Sequence, residues 1–291
     1  MKNPLGIHAL VWAGSWNEAD RHKAIAGAAA CGYDLIEIPL LNPSTVDVAA
    51  TVKLLEEYKL MAVTSLGLSG ETDISSTDTD VVARGEALLN EALMVTRDLG
   101  AKYMGGVLYS ALHKYDSPTT EEGRNNCARV LGRLGEKAKD MGIVIGLEPV
   151  NRYESNVINT AEDAIAMIER TGSDNIVVHL DSYHMNIEES GFSSAIERCG
   201  KKLGYFHIGE SNRGYLGSGT INFQRIFQSL RENNYTGAIT FESFSSAIVE
   251  PRLSIALAVW RNLWSDSYDL ARQAKAFMEA QLESVTQVEQ S

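Results

Sequence analysis

Eight short apolar runs alternate along this chain with segments of helical spacing, and that recurrence restricts the fold more than any other feature. The runs cover residues 6–12, 34–40, 61–68, 103–109, 144–150, 176–182, 203–210 and 238–244, and the clearest are rich in Val, Ile, Tyr and Phe. Between them lie segments long enough for a right-handed crossover, such as 17–31, 78–99, 119–141 and 160–171. Gly32, Gly100, Gly142 and Gly172 follow these four, as a left-handed helix cap favours. Strand–helix alternation means a parallel sheet, and eight units suffice to close it into a (β/α)8 barrel. A doubly wound dinucleotide fold would want a GxGxxG turn after its first strand, and residues 6–16 offer none. No linker divides the 291 residues, so one domain is expected over 1–291. The polar segment 69–80 reads as a loop over the barrel mouth. The stretch 266–285 reads as an extended C-terminal helix that either covers the barrel floor or packs on a second subunit.

Charge and cysteine usage narrow the function classes. A formal charge of −12 disfavours nucleic-acid and anionic-membrane partners, which attract basic patches. The start has no apolar secretory region, no run is long enough to span a bilayer, and Cys31, Cys127 and Cys199 are scattered, so a reducing cytoplasm is expected. The three thiols read as packing or surface residues.

Catalytic groups of such barrels sit where strands end at the C-terminal face. The fifth run carries Leu147-Glu148-Pro149, the sixth His179-Leu180-Asp181, the seventh Phe206-His207-Ile208 and the eighth Phe241-Glu242-Ser243. Four successive strands thus deliver Glu148, Asp181, His207 and Glu242 at equivalent depth. Carboxylates in apolar strands are costly to bury unless paired or metal-bound. Singly, each acid could equally belong to a structural ion-pair network. Together they make a mainly oxygen-donor set suited to Mn²⁺, Mg²⁺ or Co²⁺, and the absence of cysteine disfavours zinc.

The stretches Glu148-Pro-Val-Asn-Arg-Tyr-Glu154, Leu180-Asp-Ser-Tyr-His-Met-Asn-Ile-Glu-Glu189 and His207-Ile-Gly-Glu-Ser-Asn-Arg213 resemble the D-tagatose, D-allulose (D-psicose) and L-ribulose 3-epimerase family. The similarity runs from Gly6-Ile-His to Trp260-Arg-Asn-Leu. The resemblance implies a xylose-isomerase-like barrel with one divalent metal per subunit, Mn²⁺ before Co²⁺ or Mg²⁺, held by Glu148, Asp181, His207 and Glu242. It implies sugar contacts from Glu154, His184 and Arg213, a pocket wall that includes Trp16, Ser65, Val107 and Phe244, and a homo-oligomer, dimer or tetramer. Family members commonly read Glu-Pro-Phe where this chain has Glu242-Ser243-Phe244, and several carry an aromatic residue at the place of His8. Such changes are expected to touch the pocket wall and substrate preference.

The implied reaction inverts C3 of a free ketose through a cis-enediolate. It needs two acid–base groups on opposite sides of the sugar, and Glu148 and Glu242 are the natural pair. His184 and Arg213 suit O1 and O2, where negative charge gathers. His8, late in the first strand, is placed to meet the far end of the sugar, and His179 reads as a satisfied interior histidine. His22 and His113 read as surface residues. Trp12, Trp16, Tyr109 and Phe244 would supply apolar walls. Three rivals keep the barrel: an aldose–ketose (hydroxypyruvate-type) isomerase, an apurinic endonuclease, and a non-catalytic sugar-binding protein. Six histidines and the acidic charge disfavour the endonuclease.

Overall fold

The computed structural model describes residues 2–249 and 251–287, and in it the apolar runs pair side by side in chain order until the last meets the first. Strands β1 (Leu5–His8), β2 (Leu35–Pro39), β3 (Met61–Leu68) and β4 (Tyr103–Ala111) make one half. Strands β5 (Val144–Leu147), β6 (Ile176–Asp181), β7 (Leu203–Ile208) and β8 (Ile239–Phe241) complete a closed parallel barrel. Several strands stop short of the apolar runs that announce them. Val11, Trp12, Val150 and Phe244 lie beyond the hydrogen-bonded ladder yet are buried, and an apolar run reports burial, not pairing.

The crossovers carry helices α1 (Glu18–Ala30), α2 (Val48–Tyr58), α3 (Thr79–Asp98), α4 (Glu121–Asp140) and α5 (Ala161–Thr171). In the second half follow α6 (Ser182–Glu188), α7 (Phe192–Cys199), α8 (Phe223–Glu232), α9 (Pro251–Ala256) and α10 (Ser267–Gln287). Their starts are set by side-chain caps: Asn17, Asp78, Thr120 and Asn222 each accept a first-turn amide, and Thr160 forms a reciprocal capping box with Asp163. The three cysteines are free and buried, so packing is their role.

Helix α10 spends its apolar stripe within the chain. Leu270, Ala271, Ala274, Met278 and Leu282 are buried, the Tyr33 hydroxyl donates to the Ala271 carbonyl, and the helix lies against α8 and β1. Residues 69–78 form an irregular loop, as expected, but it does not wall the cavity described below. Asp73 accepts from the Tyr115 hydroxyl and the Ser76 carbonyl from Asn126, which latch the loop onto the β4–α4 connection and α4.

Two glycines are required by close approach. At Gly146 a Cβ would stand 1.8 Å from the Tyr103 hydroxyl, whose ring stacks on Tyr205 at 4.4 Å to fill the barrel beneath the mouth. Gly106 has φ +106° and its carbonyl accepts the Glu148 N–H, while a Cβ there would meet the Leu66 carbonyl oxygen at 2.6 Å. Gly106→Ala is expected to destabilise by about 1–3 kcal/mol from backbone strain alone and to misplace Glu148. Urea unfolding together with kcat would read both, and an unchanged midpoint would contradict the strain argument.

Candidate active site

The barrel register levels the side chains that meet at its C-terminal mouth. His8 pairs with Glu37 across β1–β2, and Asp181 with His207 across β6–β7. Glu148 and Glu242 stand one residue past β5 and β8, and the Glu242 N–H donates to the Ile208 carbonyl. One ligand atom from each of Glu148, Asp181, His207 and Glu242 lies within 4.8 Å of the others, and all four residues are buried. The expected four-residue cluster is therefore assembled in space.

The cluster's charges are crowded. Burial pushes the Glu148 carboxyl up to about 8, with the neighbouring Glu242 and Asp181 adding to the effect and His207 opposing it. Arg213 relieves part of the repulsion: its Nη1 donates to Asp181 at 2.9 Å and reaches Glu242 at 2.8 Å. The guanidinium also lies over the Tyr183 ring at 3.9 Å. Although burial opposes it, Asp181 and Glu242 hold the Arg213 pKa above its usual range. Arg213 has φ +59°, and its loop is gathered by the Glu210 carboxylate, which accepts from the amides of Ser211 and Gly217.

Two imidazoles, His8 and His184, face this cluster and His207 belongs to it; in each the partner of one ring nitrogen bears on the role of the other. His8 Nδ1 accepts the Leu10 N–H at 3.2 Å and His184 Nδ1 accepts the Asn151 N–H at 3.1 Å. Each therefore carries its proton on Nε2, directed toward carboxylates. For His8 these are Glu37 at 3.5 Å and Glu242 at 3.9 Å; for His184 they are Asp181 at 3.7 Å and Glu148 at 3.9 Å. Burial lowers His8 to about 4 and His184 to about 3, so both are neutral donors. His207 is turned the other way. Its Nε2 lies 2.7 Å from Glu37, while Nδ1 has no hydrogen-bond partner among the described residues and stands 3.4 Å from Glu148 and 3.6 Å from Glu242. A buried ring nitrogen with no hydrogen-bond partner among three carboxylates is what a divalent cation would satisfy, so the residues fit a metal.

A cavity of about 140 Å³ opens above the cluster. Ser65, Val107, Phe244, Glu154, His184, Arg213 and His8 all line it, as do Leu10, Leu40 and Leu112, and Leu253 and Leu257 from α9 and the residue after it. Glu154 accepts from Asn151 at 2.7 Å, and burial pushes its carboxyl up to about 7. Trp16 does not belong to this wall. Its indole donates to Thr51 at 3.2 Å and packs against the hydrophobic core. Trp12 and Tyr109 are likewise core residues, with the Tyr109 hydroxyl 2.7 Å from the Glu148 carbonyl. His22 and His113 are exposed. His179 is buried, but neither ring nitrogen has a hydrogen-bond partner among the described residues; edge contacts with Tyr205 and His207 hold it instead. The motif reading leaves out Glu37, although an acid inside the apolar run Leu35–Pro39 carries the same signal as Glu148.

Comparison with known proteins decides the family. A family model described as xylose isomerase-like TIM barrel matches residues 25–273. The L-ribulose 3-epimerase of Methylomonas sp. (strain DH-1) is 52% identical over 94% of this chain and 96% of its own length. The ketose 3-epimerase of Arthrobacter globiformis is 45% identical over 98% of this chain and 99% of its own. The chain belongs to the ketose 3-epimerase family. A crystal structure of the D-allulose 3-epimerase from Methylomonas sp. in complex with D-allulose has a TM-score of 0.95 at 51% identity, covering 96% of this chain and 97% of that one. Within this isomerase family, Ser243 has a structural explanation and lies outside the cavity lining. Its buried hydroxyl donates to the Arg213 carbonyl and accepts the Trp264 indole N–H at 2.9 Å, a tether for the arginine loop that proline could not make.

Proposed function

We propose that this chain inverts C3 of free ketoses, with L-ribulose and D-allulose as its first substrates and one Mn²⁺ per subunit, Co²⁺ or Mg²⁺ being the alternatives. The observation that carries the reading is the pair Glu148 and Glu242, delivered by β5 and β8 to the cavity at 3.4 and 3.6 Å from His207 Nδ1. The cation supplies, when bound, positive charge that offsets the negative charge developing as a C–H next to a carbonyl loses its proton. One carboxylate accepts the C3 proton and the other returns one to the opposite face, the roles exchanging in the reverse direction. His184 Nε2–H and the Arg213 guanidinium donate toward the O1–O2 end, and the leucines of the wall keep water from the reacting face.

Arg213 is the one cation among the described lining residues, and its Nη1 is engaged by Asp181 and Glu242. A phosphate dianion would meet a single guanidinium whose charge is already shared with Asp181 and Glu242, in a cavity lined by several carboxylates, which supports unphosphorylated sugars as substrates. Metal-loaded enzyme in D₂O is expected to place deuterium at C3 of L-ribulose, D-allulose and D-tagatose with formation of the epimers, and to leave D-fructose 6-phosphate untouched. NMR would read the site of exchange: labelling at C1 alone would move the assignment to an aldose–ketose isomerase, and binding without exchange to a sugar-binding barrel. No helix among the described residues is long and apolar enough to cross a membrane. The composition supports a cytoplasmic enzyme, and the exposed Trp260 and Ile255 support a homo-oligomer.

A further inference from the structure

Glu37 is nearly inaccessible, 1% exposed, in a strand whose other members are apolar or proline. A buried carboxylate is costly, and an apolar residue would fill the same volume more cheaply. Its partners show what the charge is for. An ionised carboxylate only accepts hydrogen bonds, so His207 Nε2, at 2.7 Å, must carry a proton, and the Tyr205 hydroxyl, at 3.0 Å, must donate its own. The Tyr205 oxygen is then left to accept from the Thr240 hydroxyl at 2.5 Å. The direction of the whole chain, Thr240 to Tyr205 to Glu37 with His207 donating to the same carboxylate oxygen, follows from the acceptor at its centre. The second Glu37 oxygen is 3.5 Å from His8 Nε2.

We propose that Glu37 is a positioning residue of the metal centre: it holds the His207 proton on Nε2, so that Nδ1 is presented as the lone pair toward Glu148 and Glu242 and binds the cation more tightly. The contrast with His8 and His184 supports this. Those rings tie Nδ1 to main-chain amides, whereas the one ring whose Nε2 meets a carboxylate behind it leaves Nδ1 facing Glu148 and Glu242 with no hydrogen-bond partner among the described residues. Carboxylates behind ligating histidines typically contribute 10–100-fold in metal affinity. The inference rests on the reading that Glu148, Asp181, His207 and Glu242 hold a divalent cation.

Free Mn²⁺ counted by electron paramagnetic resonance gives the Mn²⁺ Kd of wild type, Glu37→Gln and Tyr205→Phe directly, without turnover. Glu37→Gln is expected to raise Kd by about 10–100-fold, while at saturating Mn²⁺ the KM for L-ribulose stays within about twofold of wild type. Tyr205→Phe keeps the stacked ring and the Glu37–His207 pair, removes one donor to the carboxylate, and is expected to raise Kd by a smaller factor in the same direction. It keeps the test open should Glu37→Gln fail to fold. A Glu37→Gln Kd within twofold of wild type would overturn the proposal, as would Kd and KM rising together with a lowered melting temperature, the mark of a general structural role. Wild-type protein with no saturable Mn²⁺ binding would bring down the metal reading itself, and this role with it.

Discussion

Glu148→Gln and Glu242→Gln are each expected to lower kcat for C3 inversion by about 10²–10⁴-fold, the usual contribution of a positioned acid–base group. Both side chains lie at the cavity floor and both are within 4.8 Å of Asp181 and His207, so each loss is partly a metal-binding loss. Deuterium exchange separates the two. In a two-base reaction each variant retains one competent carboxylate, so each exchanges the C3 proton of one epimer in D₂O without inverting it, and the two variants act on opposite epimers. The double variant is expected to be little slower than the worse single one, because the residues act as a unit. Either variant keeping more than a tenth of wild-type inversion, or both exchanging the same epimer, would remove the pair from these roles.

Exhaustive chelation is the second large effect. Stripped protein is expected to lose C3 inversion and to regain it on addition of Mn²⁺. The stability change should be comparably clear. Arg213 neutralises only part of the charge of Glu148, Asp181 and Glu242, and burial together with its carboxylate neighbours already raises Glu148 to about 8. A cation bound only by the folded chain stabilises by about 2.7 kcal/mol at a hundredfold excess over its Kd. For a domain of this size that is a rise in melting temperature of roughly 4–5 °C. Scanning calorimetry with and without Mn²⁺ reads it. Retained activity after chelation, with no thermal shift on readdition, would mean that the cluster works without a metal.

How much of this was legible beforehand depended on the kind of signal. Recurring apolar runs and the glycines behind them announced the barrel, because the hydrophobic period and the left-handed cap are local properties of the chain. Glu148, Asp181, His207 and Glu242 were legible for a related reason. In a parallel barrel every strand end reaches the same rim, so chain position translates directly into depth. Trp16 shows where that logic fails: it lies close to the first strand in sequence, but the chain turns into a 3-10 helix at Ala9–Val11 and the indole bonds Thr51 and does not line the cavity.

By itself the sequence determined the eightfold alternation, the acids and imidazole at four consecutive strand ends, and the long motifs shared with ketose 3-epimerases. Folding in three dimensions was needed to set which nitrogen of each histidine faces the site, that Glu37 stands behind His207, that Ser243 tethers the Arg213 loop, and that α10 packs its apolar face on its own barrel. Periodicity and residue type are properties of neighbours in the chain. A tautomer or a tether depends on an atom contributed by a strand more than a hundred residues away, as Glu37 is from His207, and no spacing along one strand encodes that.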